Sequence, residues 1–177
     1  LGGITVLTGL HPATVAAHFL LSIILIAGAT SLRAQRHAPS EKIQAPVLVK
    51  KIATAHIFVT FLVLILGTVV TGSGPHAGDA TAPRFPFDLR TVAWLHADVV
   101  IALLGITFGL FVVSDVSTQT KKRLKIFLAI ALSQGLIGYV QWFTDLPEIL
   151  VGLHLAGSTL VWISSWRIWL SVTTKNG

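Results

Sequence analysis

Three histidines, His18, His96 and His154, stand inside long apolar stretches of a 177-residue chain. Ionisable side chains are costly and rare in such segments, where they act as ligands, proton relays or hydrogen-bonded packing groups. Each lies a turn or two past the start of its stretch, roughly 6–10 Å into a helix. Two neutral imidazoles from two helices at one depth are a standard way to hold a heme iron. His96 and His154 are such a pair. The chain has no cysteine. The nearest acid, Asp98, is two residues from His96, about 200° around a helix. The two cannot chelate one ion, and Asp98 reads as a structural acid facing another helix or a polar cavity.

The remaining polar groups look subordinate. His56 falls at the far end of its apolar stretch and reads as interfacial, and His37 reads as solvated in a basic loop. His11, His76, Arg84 and Arg90 fall at the opposite surface, where water or a ligand carboxylate could meet them. Gln134 and Gln141 are mid-span amides expected to hydrogen-bond across helices. Gly105, Gly109, Gly135, Gly138, Gly152 and Gly157 would let helices approach closely or leave room for a flat macrocycle.

The elements that carry these residues follow from composition. The chain is 53% hydrophobic and 11% charged, against about 25% charged in an ordinary soluble domain. That excludes a soluble enzyme, a disulfide scaffold and a disordered chain. Apolar runs over residues 13–32, 52–70, 92–113, 126–143 and 146–170 each approach the roughly 20 residues of a membrane span. Period-two alternation is absent, which argues against a β-barrel, and no charged segment precedes a short apolar core as in a signal peptide. The expected fold is all-α, a polytopic bundle of five transmembrane helices.

The net charge of +6 is an orientation signal rather than a nucleic-acid one. Arg33, Arg36, Lys42, Lys50 and Lys51 lie between the first two spans, and Lys121, Lys122, Arg123 and Lys125 between the third and fourth. Arg167 and Lys175 close the chain. By the positive-inside rule both loops and the C-terminus are cytoplasmic. Trp94 and Trp142 then mark the outer interface, Trp166 and Trp169 the inner. Residues 71–90, rich in glycine and proline, form a non-helical outer connection that reads as a cap or a plain loop.

A repeat links the first span to the last. Gly2, Thr8, Leu10, His18 and Ser22 match Gly138, Thr144, Leu146, His154 and Ser158 at one offset of 136. Pro12 and Pro147 miss that offset by one place. The repeat puts a histidine at the same point of two helices running in one direction, as in bundles built by duplication. His96 precedes His154, and the same interval counted back from His18 falls upstream of Leu1. Together with the absence of methionine, this suggests a truncated chain. Residues 1–32 read as the last helix of an N-terminal half, 33–51 as a cytoplasmic loop and 52–172 as a complete C-terminal four-helix half.

These segments resemble the heme A synthases of the bacterial cytoplasmic membrane, the actinobacterial type most closely. The resemblance rests on Leu1-Gly-Gly-Ile-Thr-Val-Leu-Thr-Gly-Leu10 with Val15-Ala-Ala-His18-Phe-Leu-Leu-Ser22. It rests also on Gly67-Thr-Val-Val-Thr-Gly-Ser-Gly-Pro-His-Ala-Gly-Asp79, on Leu95-His96-Ala-Asp98 and on Leu153-His154-Leu-Ala156. It implies an eight-helix protein of two similar four-helix halves, each with a histidine pair. His96 and His154 then resemble the axial ligands of a heme b cofactor, and His18 one ligand of the substrate-heme site. The implied reaction oxidises the methyl group of heme o to the formyl group of heme a. The lipid bilayer, heme o synthase and oxidase assembly factors are the implied partners. No catalytic acid or base is assigned, and the segment alone is expected not to turn over. Two other readings compete. One is an electron-transferring b-type cytochrome subunit without biosynthetic activity. The other is a repeat-built transporter using Asp98, Gln134 and the histidines as a proton path.

Overall fold

The computed structural model describes residues 1–36, 45–75, 81–113 and 116–173. His37, Lys42, His76, Asp79 and Lys175 lie outside them. Within the described residues the structure is helical: α1 (Gly2–Leu7), α2 (Pro12–Arg36), α3 (Val47–Ser73), α4 (Leu89–Val112), α5 (Thr118–Phe143) and α6 (Glu148–Thr173). All but α1 are long and apolar enough to cross a membrane. The first apolar stretch therefore starts as a separate short helix before the span proper. The connection after α2 is shorter than the residues 33–51 expected, because helix continues to Arg36 and resumes at Val47.

Local chemistry sets the helix ends. Pro12 opens α2, where its lack of an N–H costs nothing. His11 supplies the cap there, its Nδ1 accepting from the Ala13 amide at 3.3 Å. Asp88 caps α4, accepting from the Thr91 amide at 2.8 Å and hydroxyl at 2.7 Å. Ser117 caps α5 through the Thr120 amide. The described part of the connection before α4 folds back onto α3. Phe85 donates its amide to the Gly72 carbonyl at 2.9 Å, and Arg84 donates to the carbonyls of Ala82 and Pro75, each at 2.7 Å. A Cβ on Gly72 would stand 2.6 Å from the Phe85 ring and 2.9 Å from Pro12 Cβ, so only glycine allows this seat.

Helices α3, α4, α5 and α6 pack in cyclic order, each against its two neighbours. Backbones of α4 and α6 do not approach one another across the ring, nor do those of α3 and α5. α2 lies outside, in the seam between α3 and α6. Arg33, Arg36, Lys50, Lys51, Lys121, Lys122, Arg123 and Arg167 gather at one end of the antiparallel bundle, the basic end.

The packed core lies towards that end. On α3 the buried apolar residues are Val49, Ala53, Ile57, Val63 and Leu64; on α4, Leu103 and Leu110; on α5, Leu124, Phe127 and Ala131; on α6, Val161, Trp162, Ile168 and Val172. None of the residues of α4 before Leu103, or of α6 before Gly157, is buried. The buried apolar side chains of the four-helix ring are thus concentrated in one half of the bundle.

Candidate functional site

His18, His96 and His154 stand about two turns past Pro12, Leu89 and Glu148, the first residues of α2, α4 and α6. All three lie in the half of the bundle that lacks buried core. Each imidazole packs on a glycine of the preceding helix. A Cβ on Gly67 would lie 3.4 Å from Cε1 of His96; on Gly138, 3.6 Å from Cε1 of His154; on Gly2, 3.6 Å from Cε1 of His18. The α1–α2, α3–α4 and α5–α6 hairpins thus share one device, a ring seated on a helix surface that carries no side chain there.

His96 and His154 lie at one level on α4 and α6, helices on opposite sides of the ring. Nδ1 of each is buried with no hydrogen-bond partner. The backbone acceptor facing each ring is the carbonyl of Val63 for His96 and of Gln134 for His154, one turn before Gly67 and Gly138. A glycine there lets the ring approach that carbonyl. In metal sites generally, a carbonyl that accepts from one ring nitrogen orients a ligating histidine. Two half-buried imidazoles, each with an unsatisfied Nδ1, at one level of helices on opposite sides of the ring fit a large flat group held from both sides. Among the described residues no group of three or more His, Cys, Asp and Glu could hold a bare metal ion.

His18 does not join them. It is exposed on α2, outside the ring. Its hairpin nevertheless repeats the α5–α6 hairpin in detail. Gly9 and Leu10 have φ of 61° and 56°, and their equivalents in the repeat, Asp145 and Leu146, have 59° and 58°. Left-handed backbone is uncommon for a leucine, and here it occurs twice at equivalent points. Leu10 donates to the Thr5 carbonyl at 2.9 Å and Leu146 to the Gln141 carbonyl at 2.8 Å. The Thr8 hydroxyl bonds the Ile4 carbonyl as Thr144 bonds that of Val140.

Several sequence expectations change. His56 is not interfacial but wholly buried in the packed half, where all four ring helices meet it. Nε2 lies 3.1 Å from Thr107 Oγ1 and Nδ1 3.0 Å from Ser165 Oγ, with Phe127 edge-on at 4.7 Å. Thr107 gives its hydrogen to the Leu103 carbonyl, so the network assigns the ring proton to Nε2 and makes Nδ1 the acceptor. α3 is longer at its basic end than the apolar run implied, which carries His56 inward.

Asp98 faces neither a helix nor an inner cavity. It is exposed on α4, lining a surface depression with Arg90, Thr91, Trp94 and Leu95. The guanidinium of Arg90 sits 5.4 Å from the Trp94 ring centre. Gln134 does not bond across helices through its oxygen: Oε1 is buried without a partner, its amide lying over Gly157, which offers no side chain. The indole N–H groups of Trp166 and Trp169 bond Ser31 and Thr54 on α2 and α3. Gly67 and Val63 are the residues that sequence reasoning left without a role. The signal was there, since Gly2 and Gly138 precede His18 and His154 by the same interval.

No protein-family model, curated protein or solved structure matches the chain.

Proposed function

We propose that this chain carries the heme b half of a heme A synthase, embedded in the bacterial cytoplasmic membrane with the basic end in the cytoplasm. The observation that carries the reading is the pair of buried, unpartnered Nδ1 atoms of His96 and His154, at one level of α4 and α6 where neither helix has a buried residue. His96 and His154 would hold the heme iron. Gly67 and Gly138 admit the rings, and the carbonyls of Val63 and Gln134 fix their orientation. The apolar helices around them exclude water. Bound there, heme b would supply a one-electron carrier.

The equivalent seat of His18 on Gly2 makes this residue the counterpart ligand for the substrate. The near-identical hairpins around Gly9 and Asp145 support descent of the two halves by duplication. On this reading heme o is oxidised at its methyl group to the formyl group of heme a, with heme o synthase and oxidase assembly factors as neighbours in the membrane. The reaction belongs to the His18 side, because the His96–His154 pair leaves no position for a substrate.

The test is the absorption spectrum of the purified protein, expected to be low-spin, b-type and bis-histidine. His96→Ala and His154→Ala are each expected to abolish it. Folded protein that takes up no heme would overturn the reading. Restoration of heme a by the full-length gene, in a strain lacking it, separates biosynthesis from simple electron transfer.

A further inference from the structure

The described acids of the chain, Asp88, Asp98, Asp145 and Glu148, all stand in the half of the bundle away from the basic end. The cations at that end have no described carboxylate among them. Two of these cations, Arg123 and Arg167, differ from the rest in being tied together. Arg123 lies five residues after Thr118, the start of α5, and Arg167 six residues before Thr173, the end of α6. Both are thus about 7–9 Å inside the helix ends.

The two arginines belong to one seam. Thr120 Oγ1 donates to Ser171 Oγ at 3.0 Å, which sets the antiparallel register of α5 and α6 there. One turn further into the bundle, Arg123 donates from Nη1 to the Arg167 carbonyl at 2.7 Å. Arg167 is one turn from Ser171 on the same face of α6, and it is exposed. A bond to a backbone carbonyl neutralises no charge. It holds one guanidinium at the backbone of the residue that bears the other, so the pair of cations is built into the seam.

The depth of the pair matters. α6 has 26 residues, about 39 Å of helix, against a hydrocarbon layer of about 30 Å. A centred α6 overhangs that layer by about 4–5 Å at each end. The Arg167 backbone then stands just inside the apolar edge, and its long stem carries the guanidinium out to the level of lipid phosphates. Towards the middle of the bundle the same faces present Ile126, one turn from Arg123, and Leu160, two turns from Arg167, both exposed and apolar.

We infer that this seam of α5 and α6 binds an anionic phospholipid of the phosphatidylglycerol type, its phosphodiester on Arg123 and Arg167 and an acyl chain along Ile126 and Leu160. A guanidinium presents a planar fork that matches phosphate oxygens, and two forks can share one phosphodiester. The anion relieves the repulsion between the two cations and replaces the water they lose at the apolar edge. A headgroup with its own cation, such as choline, brings positive charge against both arginines. A free phosphate ion has the same oxygens but no chain to lie along the apolar seam. The site does not depend on what His96 and His154 hold.

The test is native mass spectrometry of the full chain in detergent, with phosphatidylglycerol and phosphatidylcholine of the same acyl chains added in equal amounts. The anionic lipid is expected to be retained about tenfold more than the zwitterionic one. Arg167→Lys keeps the charge but loses the fork, and retention of the anionic lipid should fall severalfold. Arg123→Gln combined with Arg167→Gln should abolish the preference. Lys122→Gln combined with Lys125→Gln removes the same charge from exposed positions of α5 and should leave it unchanged. Equal loss in the lysine and arginine pairs would reduce the effect to general charge and overturn the site, as would equal retention of the two lipids by the parent chain. Millimolar inorganic phosphate is expected not to displace the lipid; displacement would assign the seam to a free anion and overturn the lipid. If the double arginine variant does not fold, Arg167→Lys decides, and an unchanged preference there would overturn the site.

Discussion

Gly138 faces His154 so closely that a Cβ on the glycine would touch the imidazole, 3.6 Å from Cε1. That distance is ordinary van der Waals contact, so it divides substitutions sharply. Gly138→Ala is expected to keep the ring in place and the heme bound. Gly138→Leu must push the ring off its seat and away from the Gln134 carbonyl. Heme content per folded protein, read from absorbance, should stay near that of the parent in the first and fall severalfold in the second. Equal loss in both would mean that the glycine does not position His154.

His56 and His154 are histidines of one bundle, but their removal should have opposite signatures. His56→Ala empties the contact between four helices and leaves Ser165 and Thr107 without their ring partner. A loss of about 2–5 kcal/mol in stability is expected, read as a lower unfolding midpoint in detergent. The heme spectrum of the folded fraction should be unaltered. His154→Ala should remove the spectrum.

The amide of Gln134 occupies the space where a side chain on Gly157 would be. Gly157→Ala forces that amide to move, a change expected to cost about 1–3 kcal/mol. Gln134→Ala in the same chain should recover most of the loss, because the obstruction goes with the amide. The pair should therefore be strongly non-additive in a double-mutant cycle.

Asp88 provides the acid-side dependence at the start of α4. Hydrogen bonds from the Thr91 hydroxyl and amide hold its carboxyl below the ordinary carboxylate value, about 4 in model peptides. A depressed value means that the cap contributes fully above the ordinary value, and that its contribution fades as pH falls through the folded one. Stability of the α4 end should thus be flat above about pH 5 and decline below it. Hydrogen exchange of the Thr91 amide should follow this course in the parent chain and lose it in Asp88→Ala.

Much of the site was legible because the signals that betray it are local. Long charge-free runs define spans whatever the partner, and a histidine inside such a run is visible by contrast. The common offset that relates Gly2 and His18 to Gly138 and His154 was also readable. It finds its structural counterpart in the matching turns around Gly9 and Asp145. The role of Gly67 was harder to see, because its spacing to His96 is wider than that of the other two glycine–histidine pairs, a longer connection intervening between α3 and α4.

By itself the sequence determined the class of molecule, the number of apolar helices, the end at which the basic residues gather, and the depth of three histidines. Each of these depends on hydrophobicity and charge along one dimension. Only the tertiary structure decided which faces meet. It put His56 at the centre of the packed half and His18 outside the ring. It turned Asp98 outward, and concentrated the buried apolar side chains of the ring in one half of the bundle. The physical reason lies in the composition. In a helix bound for lipid the outer faces are as apolar as the inner ones, so the pattern that marks the buried side of a soluble helix is absent. Which residue faces which is then set by close fits, such as a ring against a glycine or a hydroxyl against an imidazole, that exist only when the helices are assembled.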